Sequence, residues 1–124
     1  MLTGTCHCGA IAICIPAAPA EITSCNCSIC RRLGTFWAYY EADTVVIDGH
    51  PEGTENYIQG DKTLRVVRCK TCGCTSHWET LDAKTKSRVG INMRNFEPEI
   101  IDGVRMRLLD GANTWTSTFK APET

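Results

Sequence analysis

Eight of the nine cysteines in this 124-residue chain fall into three tight groups: Cys6 and Cys8; Cys25, Cys27 and Cys30; Cys69, Cys72 and Cys74. A tetrahedral zinc ion takes three or four ligands, with sulfur at about 2.3 Å, and a Cys-x-Cys or Cys-x-x-Cys turn presents two sulfurs from a few residues of backbone. Two such turns close one site. Cysteine at this density also suits a small secreted scaffold held by bridges. Against that stand the odd count, the clustering, and an N-terminus with no basic region and apolar stretch of the kind that directs export. Free thiolates need a reducing compartment, so the expectation is a cytoplasmic metalloprotein.

The charge balance narrows the function classes. Thirteen basic and 14 acidic side chains give a net charge of -1, which offers no general attraction to phosphate backbones or anionic lipid. The run Arg65, Arg68 and Lys70 is short and lacks a partner stretch, so a nucleic-acid partner is not expected. No apolar run approaches the roughly 20 residues of a membrane-spanning helix. At this length the chain reads as a single domain over residues 1–124, small enough for metal crosslinks to contribute heavily to stability.

The pattern is mostly β, with short strand-forming runs separated by Gly, Pro and Asp turns. Strands are expected over Ala10–Ile15, Thr35–Tyr40, Val45–Asp48, Thr54–Gln59, Leu64–Arg68, Thr75–Glu79, Arg88–Asn92 and Val104–Leu109. Turns are expected at Asp48-Gly49, Gly60-Asp61, Asp102-Gly103 and Asp110-Gly111. One short helix, Ser28–Leu33, would carry Cys30, Arg31 and Arg32, with Ser28 capping its start and Gly34 ending it.

A closed structural site needs four ligands. Cys6 with Cys8 and Cys69 with Cys72 supply them from two turns about sixty residues apart, and tying such distant turns together removes loop entropy from the unfolded chain. The middle group, Cys25, Cys27 and Cys30, then offers three thiolates and an open fourth position, the usual mark of a reactive zinc. Spacing alone leaves other groupings open, for example Cys6 and Cys8 closing on the middle group.

The segments Gly4-Thr5-Cys6-His7-Cys8-Gly9-Ala10, Cys25-Asn26-Cys27-Ser28-Ile29-Cys30-Arg31-Arg32-Leu33-Gly34 and Cys69-Lys70-Thr71-Cys72-Gly73 occur in order. Together they resemble the glutathione-dependent formaldehyde-activating family, which also includes centromere protein V. The resemblance implies a β-tent fold of small, curved antiparallel sheets built around zinc. It also implies two zinc ions, a structural one on Cys6, Cys8, Cys69 and Cys72 and a functional one on Cys25, Cys27 and Cys30. The implied chemistry is addition of a small thiol, glutathione, to an aldehyde such as formaldehyde, or in reverse a carbon-sulfur lyase reaction. Two other readings compete, a zinc and glutathione carrier without catalysis and a zinc-ribbon adaptor. The adaptor needs the middle site closed by a fourth protein ligand.

Around the clusters, Arg31 and Arg32 could bind a substrate carboxylate in bidentate fashion, or form a solvated face. Cys74 could complete the middle site or act as a buried small apolar residue, and Cys14, inside an apolar run, is expected in the core. His7 and His77 could ligate or carry protons, although backbone hydrogen bonding is the commoner role, and His50 is expected to be exposed. Trp37, Tyr39, Tyr40, Trp78 and Trp115 could wall a pocket, but core packing explains aromatics on strands equally well. The loop Gly60–Thr63 could close over a substrate or serve only as a hairpin turn. The partners expected are a small thiol and a small electrophile, and the sequence leaves a homodimer open.

Overall fold

The structure, a computed structural model, describes residues 1–58, 60, 62–81 and 88–120. It contains eleven strands among the described residues: β1 (Leu2–Thr5), β2 (Ala12–Ile15), β3 (Glu21–Cys25), β4 (Trp37–Glu41), β5 (Val46–Asp48), β6 (Thr54–Ile58), β7 (Leu64–Cys69), β8 (Thr75–Thr80), β9 (Arg88–Asn92), β10 (Arg105–Leu109) and β11 (Ser117–Lys120). A four-residue helix, α1 (Cys30–Leu33), and three single 3-10 turns complete it. The mostly β expectation is met. No helix among the described residues is long and apolar enough to cross a membrane.

The strands form a three-stranded sheet, β1-β2-β5, and an eight-stranded sheet, β11-β10-β3-β4-β9-β8-β7-β6. All pairs are antiparallel except β3 with β10, which run parallel with Cys25 opposite Leu109. A parallel pair needs a long crossover, and here the intervening chain builds most of the large sheet. The pairing carries residues 110–116, which follow β10, to the end of β3 where the middle cysteines begin.

Side-chain alternation decides what each strand buries. In β2, Ile13 and Ile15 are fully buried, while Ala12 and Cys14 face the half-exposed side. Cys14 therefore lies outside the core proper, with its thiol against the Thr3 hydroxyl at 3.1 Å. β9 lies between β4 and β8, and Val89 through Asn92 are all buried. Gly90 faces Trp78 across the ladder, and any Cβ there would collide with the indole ring. The core gathers Ile11, Ile13, Ile15, Ile22, Ile91, Met93 and Phe96.

Local differences from expectation have simple causes. β2 starts at Ala12, not Ala10, because residues 6–11 form a tight turn in which the Gly9 N–H donates to the Cys6 carbonyl at 3.1 Å and the Cys6 N–H to the Ile11 carbonyl at 3.0 Å. The helix is shorter than expected. Its N-cap is Ile29, without a side-chain cap, and Ser28 instead offers its carbonyl to Arg32 Nη1 at 2.6 Å. Gly34 ends the helix as anticipated, in the left-handed conformation at φ 68° with its N–H on the Cys30 carbonyl. Strands β1, β3 and β11 were not expected, since each is short and polar and is defined mainly by its partner. Gln59, at the end of one expected strand, and Asp61, in the Gly60–Thr63 loop, lie outside the described residues.

Candidate metal centres

The cysteines form no disulfide. The sulfurs of Cys6, Cys8, Cys69 and Cys72 all lie within 4.8 Å of one another, with Cys8 Sγ 3.7 Å from that of Cys6 and 3.6 Å from that of Cys69. Each turn aims backbone N–H groups at sulfur: Ile11 to Cys6 at 3.3 Å, and Thr71 to Cys69 at 3.4 Å. Such donors favour the thiolate. N–H bonds from Cys74 and Cys8 hold the Cys72 thiol down at about 5. Four sulfurs at this spacing fit a tetrahedral thiophilic ion such as zinc. The Cys6–Cys8 turn follows β1 of the small sheet, and the Cys69–Cys72 turn joins β7 and β8 of the large one, so the group spans both sheets.

Cys25, Cys27 and Cys30 form a second group, again within 4.8 Å. Cys25 ends β3, Cys27 sits in the connecting loop and Cys30 opens α1. The Cys27 N–H reaches Cys25 Sγ at 3.4 Å, and the Cys30 N–H reaches Cys27 Sγ at 3.4 Å. Burial raises the Cys27 thiol, but the Cys30 N–H and the neighbouring thiols outweigh it and bring its pKa below the ordinary value. Burial dominates at Cys30, pushing it up to about 12 even though the Trp37 indole N–H donates to its sulfur at 3.4 Å. A charge of +2 beside three such thiols would reverse that cost. The set therefore suits zinc as a three-sulfur site. No fourth Cys, His, Asp or Glu joins the group among the described residues.

Cys74 is not at this second group. It is placed beside the first, where the His7 backbone N–H donates to its sulfur and Cys72 and Cys6 are its neighbours, and it packs on the hydrophobic core. The tight turn at Gly73, whose N–H binds the Cys69 carbonyl at 3.0 Å, keeps it there. The His7 side chain is exposed and belongs to neither cluster.

A cavity of about 750 Å³ opens over the three-cysteine group. Trp37, Tyr39, Trp78 and Trp115 wall it, whereas Tyr40 points away and donates its hydroxyl to the Ala17 carbonyl at 2.9 Å. Gly60 and Thr63 reach its edge. A second hollow of about 520 Å³ lies on the other side of the group and shares Cys25, Asn26, Cys30 and Arg31 with the first. Arg31 thus stands between the two. Arg32 is turned back onto the Ser28 carbonyl and lines neither.

Three contributors escaped the sequence reading. Arg94 borders the second hollow with its guanidinium 4.7 Å from the centre of the Phe36 ring. Asn26 binds across to Asp110 Oδ1 at 3.0 Å and accepts the Ala112 N–H at 3.0 Å. Through that tie Gly111 lies against the cysteines, where an added Cβ would stand 2.7 Å from Cys25 Sγ and 3.2 Å from Cys27 Cβ. Only the Asp110-Gly111 turn was visible in advance. Away from the cysteines, His50 is half-buried rather than exposed and meets His77 and Glu79 in a third group whose ligand atoms lie within 4.8 Å of one another.

The sequence profile of the family described as glutathione-dependent formaldehyde-activating enzyme matches residues 1–117. Among solved structures, a Rhodobacter sphaeroides protein determined by structural genomics is 30% identical, with a TM-score of 0.66, over 78% of this chain and 89% of that one. A search of curated proteins found no match. With its cysteine groups in place and the profile spanning nearly its full length, the chain belongs to the glutathione-dependent formaldehyde-activating enzyme family.

Proposed function

We propose that the chain is a zinc-dependent enzyme that adds glutathione to a small aldehyde such as formaldehyde, or releases the aldehyde from the adduct as a carbon-sulfur lyase. In this reading Cys6, Cys8, Cys69 and Cys72 hold a structural zinc, and Cys25, Cys27 and Cys30 hold a functional one. The observation that carries it is the convergence of three sulfurs, without a fourth described protein ligand, at a 750 Å³ cavity. That volume is in the range of small-ligand pockets.

A zinc ion on the three cysteines would supply a Lewis acid that favours the thiolate form of an incoming thiol. The reaction itself is redox-neutral: sulfur bonds to the carbonyl carbon, the C=O π bond opens, and the thiol proton ends on the new hydroxyl. The chain's part is to hold and orient. Trp37, Tyr39 and Trp78 surround the reacting carbon with largely apolar walls that limit its contact with water. Arg31, with Arg94 in the adjoining hollow, offers cations for the carboxylates of glutathione. Cys74 in this reading is a core residue beside the structural group, and Arg32 serves the helix end.

The test is the rate of S-hydroxymethylglutathione formation and breakdown, followed by exchange NMR at matched glutathione and formaldehyde. The wild type should exceed the uncatalysed exchange, and Cys27→Ala should fall back to it. Arg31→Ala should raise the KM for glutathione by about tenfold, the equivalent of ~1.4 kcal/mol, with kcat little changed. Tight glutathione binding without acceleration would instead make the protein a carrier.

A further inference from the structure

Trp78 of β8 faces the cavity, so its neighbours His77 and Glu79 point to the opposite face of the large sheet. Both are buried, at 1% and 4% exposure. His50, from the turn after β5, sets its ring edge-on against that of His77, with centroids 4.8 Å apart and planes at 85°. The Nε2 atoms of both histidines lie 2.7 Å from the same carboxylate oxygen, Glu79 Oε1.

The other ring nitrogens decide what this convergence means. His77 Nδ1 is 2.9 Å from Ser76 Oγ, whose proton goes to the Val67 carbonyl at 3.2 Å. His50 Nδ1 is 2.7 Å from Thr54 Oγ1, whose proton goes to the Pro51 carbonyl at 3.1 Å. A hydroxyl has one proton to give, so each Nδ1 carries the hydrogen and donates it. In a neutral imidazole, Nε2 is then a bare lone pair. Two imidazole nitrogens and one carboxylate oxygen thus converge where a single cation could bridge them.

We infer that His50 Nε2, His77 Nε2 and Glu79 Oε1 form a binding site for a divalent first-row transition metal ion, separate from the cysteine groups. Two imidazoles and a carboxylate are a recurrent donor set for zinc and ferrous ions. The Ser76 and Thr54 hydroxyls are the outer partners that fix such imidazoles in the ligating tautomer. Metal bonds of about 2.0–2.2 Å place donors about 2.9 Å apart at right angles and about 3.4 Å apart at tetrahedral angles, so the imidazoles would move outward by roughly 0.2–0.7 Å from the present separation to take the ion. Arg65 Nε approaches the other carboxylate oxygen, Oε2, at 3.6 Å. The His50 side chain is 21% exposed and gives the site a route to solvent.

Cadmium-113 NMR tests this on the whole chain, because the resonance position separates sulfur from nitrogen and oxygen donors. At saturating ¹¹³Cd²⁺ the wild type should show, beside signals in the sulfur region, one resonance in the nitrogen and oxygen region coupled to ring protons of two imidazoles. The chain has three histidines, His7, His50 and His77, so assigning their three ring spin systems in the wild type identifies the coupled pair, expected to be His50 and His77. His50→Ala should lose that resonance alone, and Thr54→Val should raise its half-saturating cadmium concentration about 10- to 100-fold. Sulfur-region signals only, or a nitrogen-region signal coupled to His7, would overturn the inference and leave protons holding the cluster. Because the assignment is made in the wild type, a variant that fails to fold does not affect the outcome, and none of these readouts depends on aldehyde chemistry.

Discussion

At Gly111 the backbone lies close enough to the three-cysteine group that a single methyl decides the geometry. The residue has no positive φ, so alanine is free to adopt its backbone conformation, but the new Cβ would stand 2.7 Å from Cys25 Sγ. A free thiol could swing away; one engaged with a metal and hydrogen-bonded by the Cys27 N–H at 3.4 Å has little room. Gly111→Ala should therefore keep the fold, shifting stability by about 1 kcal/mol or less, while metal affinity at the middle group drops by roughly tenfold. Equilibrium dialysis against a zinc chelator alongside thermal melting checks this, and unchanged affinity would contradict the proposed engagement of Cys25. Trp37 teaches the same lesson about position. Aromatics on strands are usually packing, and Trp37 is packed, at 2% exposure, yet its indole N–H is spent on Cys30. Residue type and spacing could not separate the two roles, because both place the same ring in the same interior.

Among the elements, the segment joining β10 to β11 depends on one carboxylate. Asp110 accepts from Asn26 Nδ2 at 3.0 Å and from the Thr114 hydroxyl at 2.9 Å, while its carbonyl takes the Trp115 N–H at 2.7 Å. The side chains of Asn26 and Thr114 hold its pKa below the ordinary carboxylate value. A depressed pKa means the ionised form is favoured in the folded state, so its contribution is fully present above the ordinary value and is lost as the pH falls through the depressed one. The segment should loosen over the cysteines in that acid range before the sheets melt. Trp115, 67% exposed at the cavity mouth, reports it by fluorescence. Asp110→Asn should erase the acid step, and a step that persists in the variant would place its origin elsewhere. The Asp110-Gly111 turn is legible locally, but the tie from Asp110 to Asn26 joins residues 84 positions apart. Likewise β3 is too short and polar to announce itself, and its parallel alignment with β10 fixes it.

Across the molecule, the four-sulfur group joins the turn after β1 in the small sheet to the β7–β8 turn in the large one. If a zinc ion sits there, Cys69→Ala opens a crosslink between distant parts of the chain and should unfold the protein or lower its melting temperature sharply. Cys27→Ala should lose one zinc and stay folded, since the middle group lies within a single stretch between β3 and α1. Metal analysis with circular dichroism on the two variants separates these outcomes. Equal loss of fold in both would remove the distinction between a structural and a functional zinc.

What the sequence determines by itself is local: the Cys-x-Cys and Cys-x-x-Cys turns, the Gly34 helix stop, the alternation that marks most strands, and the motif order that points to the family. Those features depend on neighbours within a few residues, where backbone geometry leaves few choices. Only the tertiary structure decides which turn meets which. Cys74 follows Cys72 by two residues and by sequence could complete the middle site or be a buried apolar residue; the β7–β8 turn places it beside the first group. His50 reads as a turn residue until the sheet places His77 and Glu79 against it. Such meetings are set by the packing of the whole chain, in which contacts between remote segments are decided together and no short stretch carries the answer.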